Sequence, residues 1–327
     1  MSNNAFSTTR RDLFKLAGGA AAVAAFGGGL AGPARAAAPM LGVMRPSIYR
    51  FKLGAFEVTN FLDGYVQGSP HPTFGNNQTA ETVQAYAKSQ GLPATKSENV
   101  YVNTLVNTGK ELVLFDTGNG KARMATAGKL PDLLVAAGYK PDQIDVVVTT
   151  HGHPDHIGGL MEGDKPVYPN ARYVFGEVEF DYWKKGENIA EARKANREQF
   201  MKVAVPFGEK ATFLKGEGEV VSGIRSVPVF GHSPGMMAFH IESEGQRLLN
   251  WADVANHYIF SIQQPEWHVG FDHDKEAGAA TRKRVFDMVS NDKTPVVGYH
   301  MPFPSVGFVE KSGTSYRWVP ASYQFNL

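Results

Sequence analysis

Six consecutive residues, His151-Gly152-His153-Pro154-Asp155-His156, bring three imidazoles and a carboxylate onto one short loop. Imidazole nitrogen and carboxylate oxygen are ligands for Zn²⁺, Fe²⁺ or Mn²⁺. A loop leaving a strand points alternate side chains at different centres, so four ligands on one loop can serve two metals. A polar surface loop would carry such a cluster only by accident. The chain contains no cysteine, which removes disulfides, thiol nucleophiles and thiolate-bound metals together. Any metal must rest on histidine and carboxylate. Three further residues complete two shells: His232 in Gly231-His232-Ser233-Pro234-Gly235, Asp253 after residues 247–251, and His300 after residues 295–299. Each follows an apolar run that reads as a buried strand, and folds of this kind place ligands beyond the C-terminal ends of strands. Taken singly, each also reads as a capping or core-satisfying polar residue.

The elements that must hold these loops are readable from periodicity. Residues 51–61 and 100–108 alternate apolar and polar side chains, as half-buried strands do. Residues 111–115 and 144–149 are short apolar runs of buried strands, and residues 129–138 read as an amphipathic helix closed by Gly138. Strands interspersed with helices predict an α/β or α+β fold. Residues 177–202, the most polar helical stretch, read as a helical insertion near the site rather than a second domain. Residues 275–289 read as a helix whose basic run, Arg282-Lys283-Arg284, is expected to face solvent.

Composition narrows the function classes. The 327 residues carry 33 Lys and Arg against 32 Asp and Glu, a net charge of +1, and 43% are hydrophobic. A globular chain without a basic excess gives no reason to expect nucleic acid as a partner. At the N-terminus, Thr9-Arg10-Arg11-Asp12-Leu13-Phe14-Lys15 precedes an Ala/Gly-rich run and Ala34-Arg35-Ala36, the small-x-small pattern that signal peptidase reads. Residues 1–38 are therefore expected to be a cleaved export signal resembling the twin-arginine type, with Leu13 and Phe14 swapped relative to its usual order. The remaining chain, 39–327, is expected to be a single domain without membrane contact, periplasmic or secreted.

The succession H-x-H-x-D-H, Gly-His-Ser-Pro-Gly, an Asp after a strand and a late His resembles the metallo-β-lactamase superfamily. Gly298-Tyr299-His300-Met301-Pro302-Phe303-Pro304 and Tyr316-Arg317-Trp318-Val319-Pro320 resemble, within it, the methyl parathion hydrolase group and its quorum-quenching lactonase relatives. The resemblance spans residues 49–323. It implies a four-layer αββα sandwich with two divalent metals at one edge, zinc first, with iron, cobalt or manganese as alternatives. By the same resemblance His151, His153 and His232 hold one metal, Asp155, His156 and His300 the other, and Asp253 bridges them. Asp116 orients ligands from behind. A hydroxide shared by such a pair attacks carbonyl carbon or phosphorus, with Asp155 and Asp253 placed to shuttle its proton. Relatives also suggest a homodimer.

Substrate choice must come from groups around the metals. The insertion supplies Trp183 and Phe200, and later loops Trp251, Trp267 and Phe303, as candidate walls of an apolar pocket for a small-molecule substrate. Asn256 and His257, just after Asp253, are expected to reach a lactone or ester oxygen. Arg123 stands where the organophosphatase group places an aromatic. These residues favour an exported binuclear hydrolase of lactones or esters over a phosphotriesterase, and a non-catalytic metal-binding protein is the remaining alternative. The leftover His240, His257, His268 and His273 are expected at the surface or behind the ligands.

Overall fold

Alternation along the central strands decides the layering. In the strand Leu112–Phe115, Val113 and Phe115 enter one core while Leu114 enters another, and in Val146–Thr149 the same split separates Val146 and Val148 from Val147. Successive side chains of a strand point to opposite faces, so two all-apolar strands must be covered on both sides. The computed structural model supplies both covers. It describes residues 40, 42, 44–321, 325 and 326; the expected export signal, residues 1–38, lies outside the described residues.

Two seven-stranded sheets pack face to face. In the first, Ile48–Leu53, Phe56–Gly68, Ser97–Asn107 and Leu112–Phe115 run antiparallel in succession, followed in parallel by Val146–Thr149, Arg172–Gly176 and Thr212–Leu214. In the second, the strands from Gly218–Val221 to Gln246–Asn250 form an antiparallel meander. That meander pairs in parallel with Val296–Val297 and ends in the hairpin Val306–Ser312 and Ser315–Pro320. The shared core joins Phe51, Val113, Phe115 and Val148 to Ile224, Phe239, Ile241 and Val297, with Phe115 and Phe239 ring centroids 5.1 Å apart.

The outer face of the first sheet is covered by Leu130, Leu134, Phe180, Trp183 and Phe200, and that of the second by Val285, Phe286 and Val289. The result is the expected αββα sandwich, and Arg45–Leu327 forms one compact unit. Among the described residues no helix is long and apolar enough to cross a membrane.

Several elements differ from their sequence expectation. Residues 51–61 are not one strand: Gly54, at φ +57°, turns the chain into a hairpin. The helical stretch 177–202 is two helices, Glu177–Lys185 and Lys194–Val203, separated by Gly186 in the left-handed conformation that ends the first one. The helix Lys275–Asp292 does not turn its whole basic run to water. Lys283 and Arg284 are exposed, but Arg282 is 1% exposed and donates to the carbonyls of Val254, Pro265 and Trp267 and to Asp272. A buried guanidinium with all these acceptors cannot be removed without leaving Asp272 Oδ2 and three buried carbonyls unpaired. Arg282→Met is expected to destabilise the fold by about 3 kcal/mol or more, and Lys283→Met by less than about 0.5 kcal/mol, measured by denaturant unfolding.

Candidate metal centre

The loops that carry the candidate ligands all leave sheet strands at the same edge. His151 follows Val146–Thr149, Asp116 follows Leu112–Phe115, His232 follows Ile224–Pro228, Asp253 follows Gln246–Asn250 and His300 follows Val296–Val297. His153 is the N-cap of the one-turn helix Pro154–Ile157, which Pro154 starts at its first position. That turn sets Asp155 and His156 on neighbouring faces. Gly152 is required because a β-carbon there would collide with the Trp183 indole.

Three ring nitrogens converge first. His151 Nε2 lies 3.0 Å from His153 Nδ1, which lies 2.9 Å from His232 Nε2. In a second group, Asp155 Oδ2 is 3.5 Å from both His156 Nε2 and His300 Nε2. Asp253 stands between the two, with Oδ2 3.0 Å from His300 Nε2 and 3.3 Å from His232 Nε2, and Oδ1 3.3 Å from His156 Nε2. Its carboxylate thus touches both groups.

The residues fit divalent cations. His156 Nε2 and Asp253 Oδ1 are buried with no hydrogen-bond partner, a costly state for polar atoms that coordination would satisfy. Five imidazoles and two carboxylates are a donor set for zinc, iron, cobalt or manganese. At His151, His153 and Asp253 protonation agrees with ligation, which needs neutral imidazole and ionised carboxylate; at His156 and His300 burial is outweighed by Asp253 and the neighbouring carboxylates, which hold both imidazoles above their ordinary range, so a cation bound there displaces a proton. Burial, then the charge of His156, holds His151 well below the ordinary imidazole range; burial, then His151 and His232, does the same for His153. Burial opposes ionisation of Asp253, but His300 and His156 outweigh it and hold the carboxyl well below its usual range.

Each histidine has its other nitrogen occupied. His151 Nδ1 donates to Thr150 Oγ1 at 3.1 Å, and that hydroxyl donates in turn to Asp116 Oδ2. His156 Nδ1 donates to Asp116 Oδ2 at 2.7 Å, His232 Nδ1 to Asp272 Oδ1 at 2.8 Å, and His300 Nδ1 to the Val100 carbonyl at 2.7 Å. His153 presents Nδ1 to the group, so its Nε2 proton points at His273 Nε2, 3.0 Å away. These bonds choose the tautomer that leaves the converging nitrogen bare.

Asp116 therefore sits where the sequence expected it, behind the ligands, while Asp272, Glu179 and Thr150 were not anticipated. Glu179 accepts from Gly152 N, Ser233 Oγ and Gly235 N, tying the loop of His151 to the loop of His232. It lies in a polar-looking helix in which only its burial marks it out.

The expected substrate wall is different in the structure. Trp183 and Phe200 are fully buried behind the His151–His153 loop, with the Trp183 indole donating to Glu179, so they back the site without lining it. Trp251 and Trp267 likewise lie in core clusters. Asn256 is buried and gives its amide to Asp253 Oδ2 at 2.9 Å, which leaves it no path to a substrate oxygen. His257 faces a separate cavity of about 640 Å³. Its Nδ1 accepts from Ile259 N and Phe260 N, and burial pushes its pKa down to about 3. Arg123 does line the cavity over the ligands, which has a volume of about 190 Å³ and is walled also by Asn99, Tyr101, Arg193, Asn196 and Phe271. Asp272→Asn, which keeps the shape but puts a weaker acceptor on His232, is expected to lower metal affinity about 10- to 100-fold, read by competition with a chelator.

Comparison with known proteins agrees with this geometry. Residues 99–286 match the pattern of the metallo-beta-lactamase superfamily. An N-acyl homoserine lactonase of Bacillus cereus is 24% identical over 209 residues, 63% of this chain and 72% of that protein. Among solved structures, AidC, a dizinc quorum-quenching lactonase in complex with a homoserine product, matches with a TM-score of 0.79 at 24% identity, covering 84% of this chain and 97% of its own. The hydrolase AbOPH of the beta lactamase superfamily matches with a TM-score of 0.77, also at 24% identity, covering 85% and 98%. With more than half of its length matched to the family pattern, the chain belongs to the metallo-β-lactamase superfamily.

Proposed function

We propose that the protein is an exported, binuclear metal-dependent hydrolase that opens a lactone or cleaves a carboxylic ester. The observation that carries this reading is Asp253, whose two oxygens reach ligands of both groups beneath an open cavity. Two divalent ions held there would supply hydroxide near neutral pH and a positive field for a developing oxyanion. The lactonase relatives support the lactone as substrate class, and the zinc of AidC supports zinc as the metal. Export rests on the twin-arginine-like segment and the signal-peptidase pattern alone.

The chain's own residues would share the remaining work. Asp155, at 14% side-chain exposure, is the carboxylate of the site that meets the cavity most openly, so it is the group to take a proton and return it to the leaving oxygen. Asn256 holds Asp253 in its orientation. Tyr101 lies on the cavity wall, its hydroxyl pushed above the usual phenol range by burial and then by Asp155.

The second reading is a phosphotriesterase, since one nucleophile serves carbonyl and phosphoryl electrophiles. Arg123 on the wall, where an aryl group would need an apolar surface, counts against it. The test compares kcat/KM for an acyl lactone and a methyl aryl phosphotriester on the same zinc-loaded protein. A ratio well above one is expected; a ratio well below one would replace the lactonase reading with the phosphotriesterase.

A further inference from the structure

The wall of the metal cleft carries more positive charge than ester hydrolysis requires. Arg123 Nη1 sits 3.8 Å from Asp155 Oδ1, beside one ligand group. Arg193 Nη1 sits 3.3 Å from His153 Nε2, beside the other. Both guanidiniums line the same cavity, and each is accompanied there by an amide, Asn99 from the first sheet and Asn196 from the helix Lys194–Val203.

Neither arginine is neutralised by a carboxylate of its own. Arg193 is half-buried and has no carboxylate at ion-pair distance among the described residues. One of its nitrogens donates to the Phe271 carbonyl at 2.8 Å, while the other faces a ring nitrogen whose proton points at His273. Arg123 donates to Asn119 Oδ1, and its one carboxylate neighbour among the described residues is Asp155, which belongs to the candidate metal group. Arg282 offers the contrast, since its buried charge meets Asp272 directly. A half-buried guanidinium without a counter-ion is unfavourable in the free protein, and it presents N–H groups in a planar fork that matches a carboxylate.

We infer that Arg123 and Arg193 form a receiving site for an anionic substituent, and that the substrate is a lactone or ester bearing a free carboxylate besides its scissile bond. This rests on the hydrolase reading above and deepens it. A neutral acyl lactone offers the guanidiniums carbonyl acceptors but no opposite charge, whereas a carboxylate supplies both while the ester carbonyl lies over Asp253. Two cations in a confined cleft also raise the local concentration of an anionic substrate.

The test compares kcat/KM of the zinc-loaded protein for β-carboxy-γ-butyrolactone and for its neutral carboxamide. The carboxylate is expected to be preferred by about tenfold or more, the scale of one charge-assisted hydrogen bond. That preference should shrink as ionic strength rises from about 0.01 to about 0.5 M. In Arg193→Gln and in Arg123→Gln the ratio between the two lactones should fall about tenfold, with zinc content and thermal unfolding checked for each variant. The salt series on the unaltered protein keeps the inference testable should a variant fail to fold. Equal turnover of the two lactones, independent of salt, would overturn this inference and leave the hydrolase reading standing. Turnover of the acyl lactone but of neither of these two would overturn this inference alone; no turnover of the acyl lactone either would overturn the hydrolase reading, and this inference with it.

Discussion

Five imidazoles have to present an unprotonated nitrogen to one small volume, and the rest of the site is arranged around that requirement. Ring nitrogens held 2.9 to 3.0 Å apart would repel one another as bare lone pairs, and burial removes the water that would screen them. A divalent cation turns the repulsion into coordination. The protein's part is to keep each ring from rotating or changing tautomer. It does so with one acceptor behind every ring: the Thr150 hydroxyl, Asp116, Asp272, the Val100 carbonyl and His273. These acceptors come from separate parts of the chain, so the site assembles only when both sheets have packed.

Three buried charged groups then lock the loops to one another. Asp116 takes Thr150 and His156, joining two parts of the histidine loop. Glu179 joins that loop to the loop of His232. Asp272 holds His232 on one oxygen and Arg282 on the other, and Arg282 reaches back to the Val254 carbonyl beside Asp253. The backbone is strained where it delivers these groups: Asp116 at φ +58° and Ala252 at φ +52° both occupy the left-handed region. For Ala252 this costs about 1 kcal/mol, tolerated because Asp253 must turn into the centre immediately after a strand.

The convergence of the seven candidate ligands was legible in the sequence because most of the signal is local. Four sit within six residues, and the other three end apolar strands, a pattern that needs no knowledge of tertiary contacts. The αββα layering was legible by resemblance and the central strands by apolar run, since strands covered on both faces must be apolar throughout. What stayed hidden depends on contacts between distant segments. Arg282 sits in a basic helical run and looks solvated, yet its side chain is buried because Asp272 and three carbonyls converge there. Glu179 occupies a polar helix and reads as surface. Trp183 and Phe200 have the composition of a pocket wall, but the close approach of Gly152 draws the Trp183 ring in behind the ligands. Asn256 and His257, three and four residues after Asp253, turn away from the cavity because one serves the bridging carboxylate and the other caps its own loop. Proximity in sequence to a ligand is a poor guide to which side of that ligand a residue occupies. The polar wall built by Arg123 and Arg193 could not be read either, because the two lie on opposite sides of the histidine loop in sequence and meet only across the folded cleft.

The central claim is that Asp253 joins two ligand groups into one binuclear centre, and anomalous diffraction from zinc-loaded crystals at the zinc edge tests it most directly. Two peaks are predicted, one among His151, His153 and His232 and one among Asp155, His156 and His300, with the Asp253 carboxylate between them. A single peak, or two that Asp253 does not touch, would contradict it.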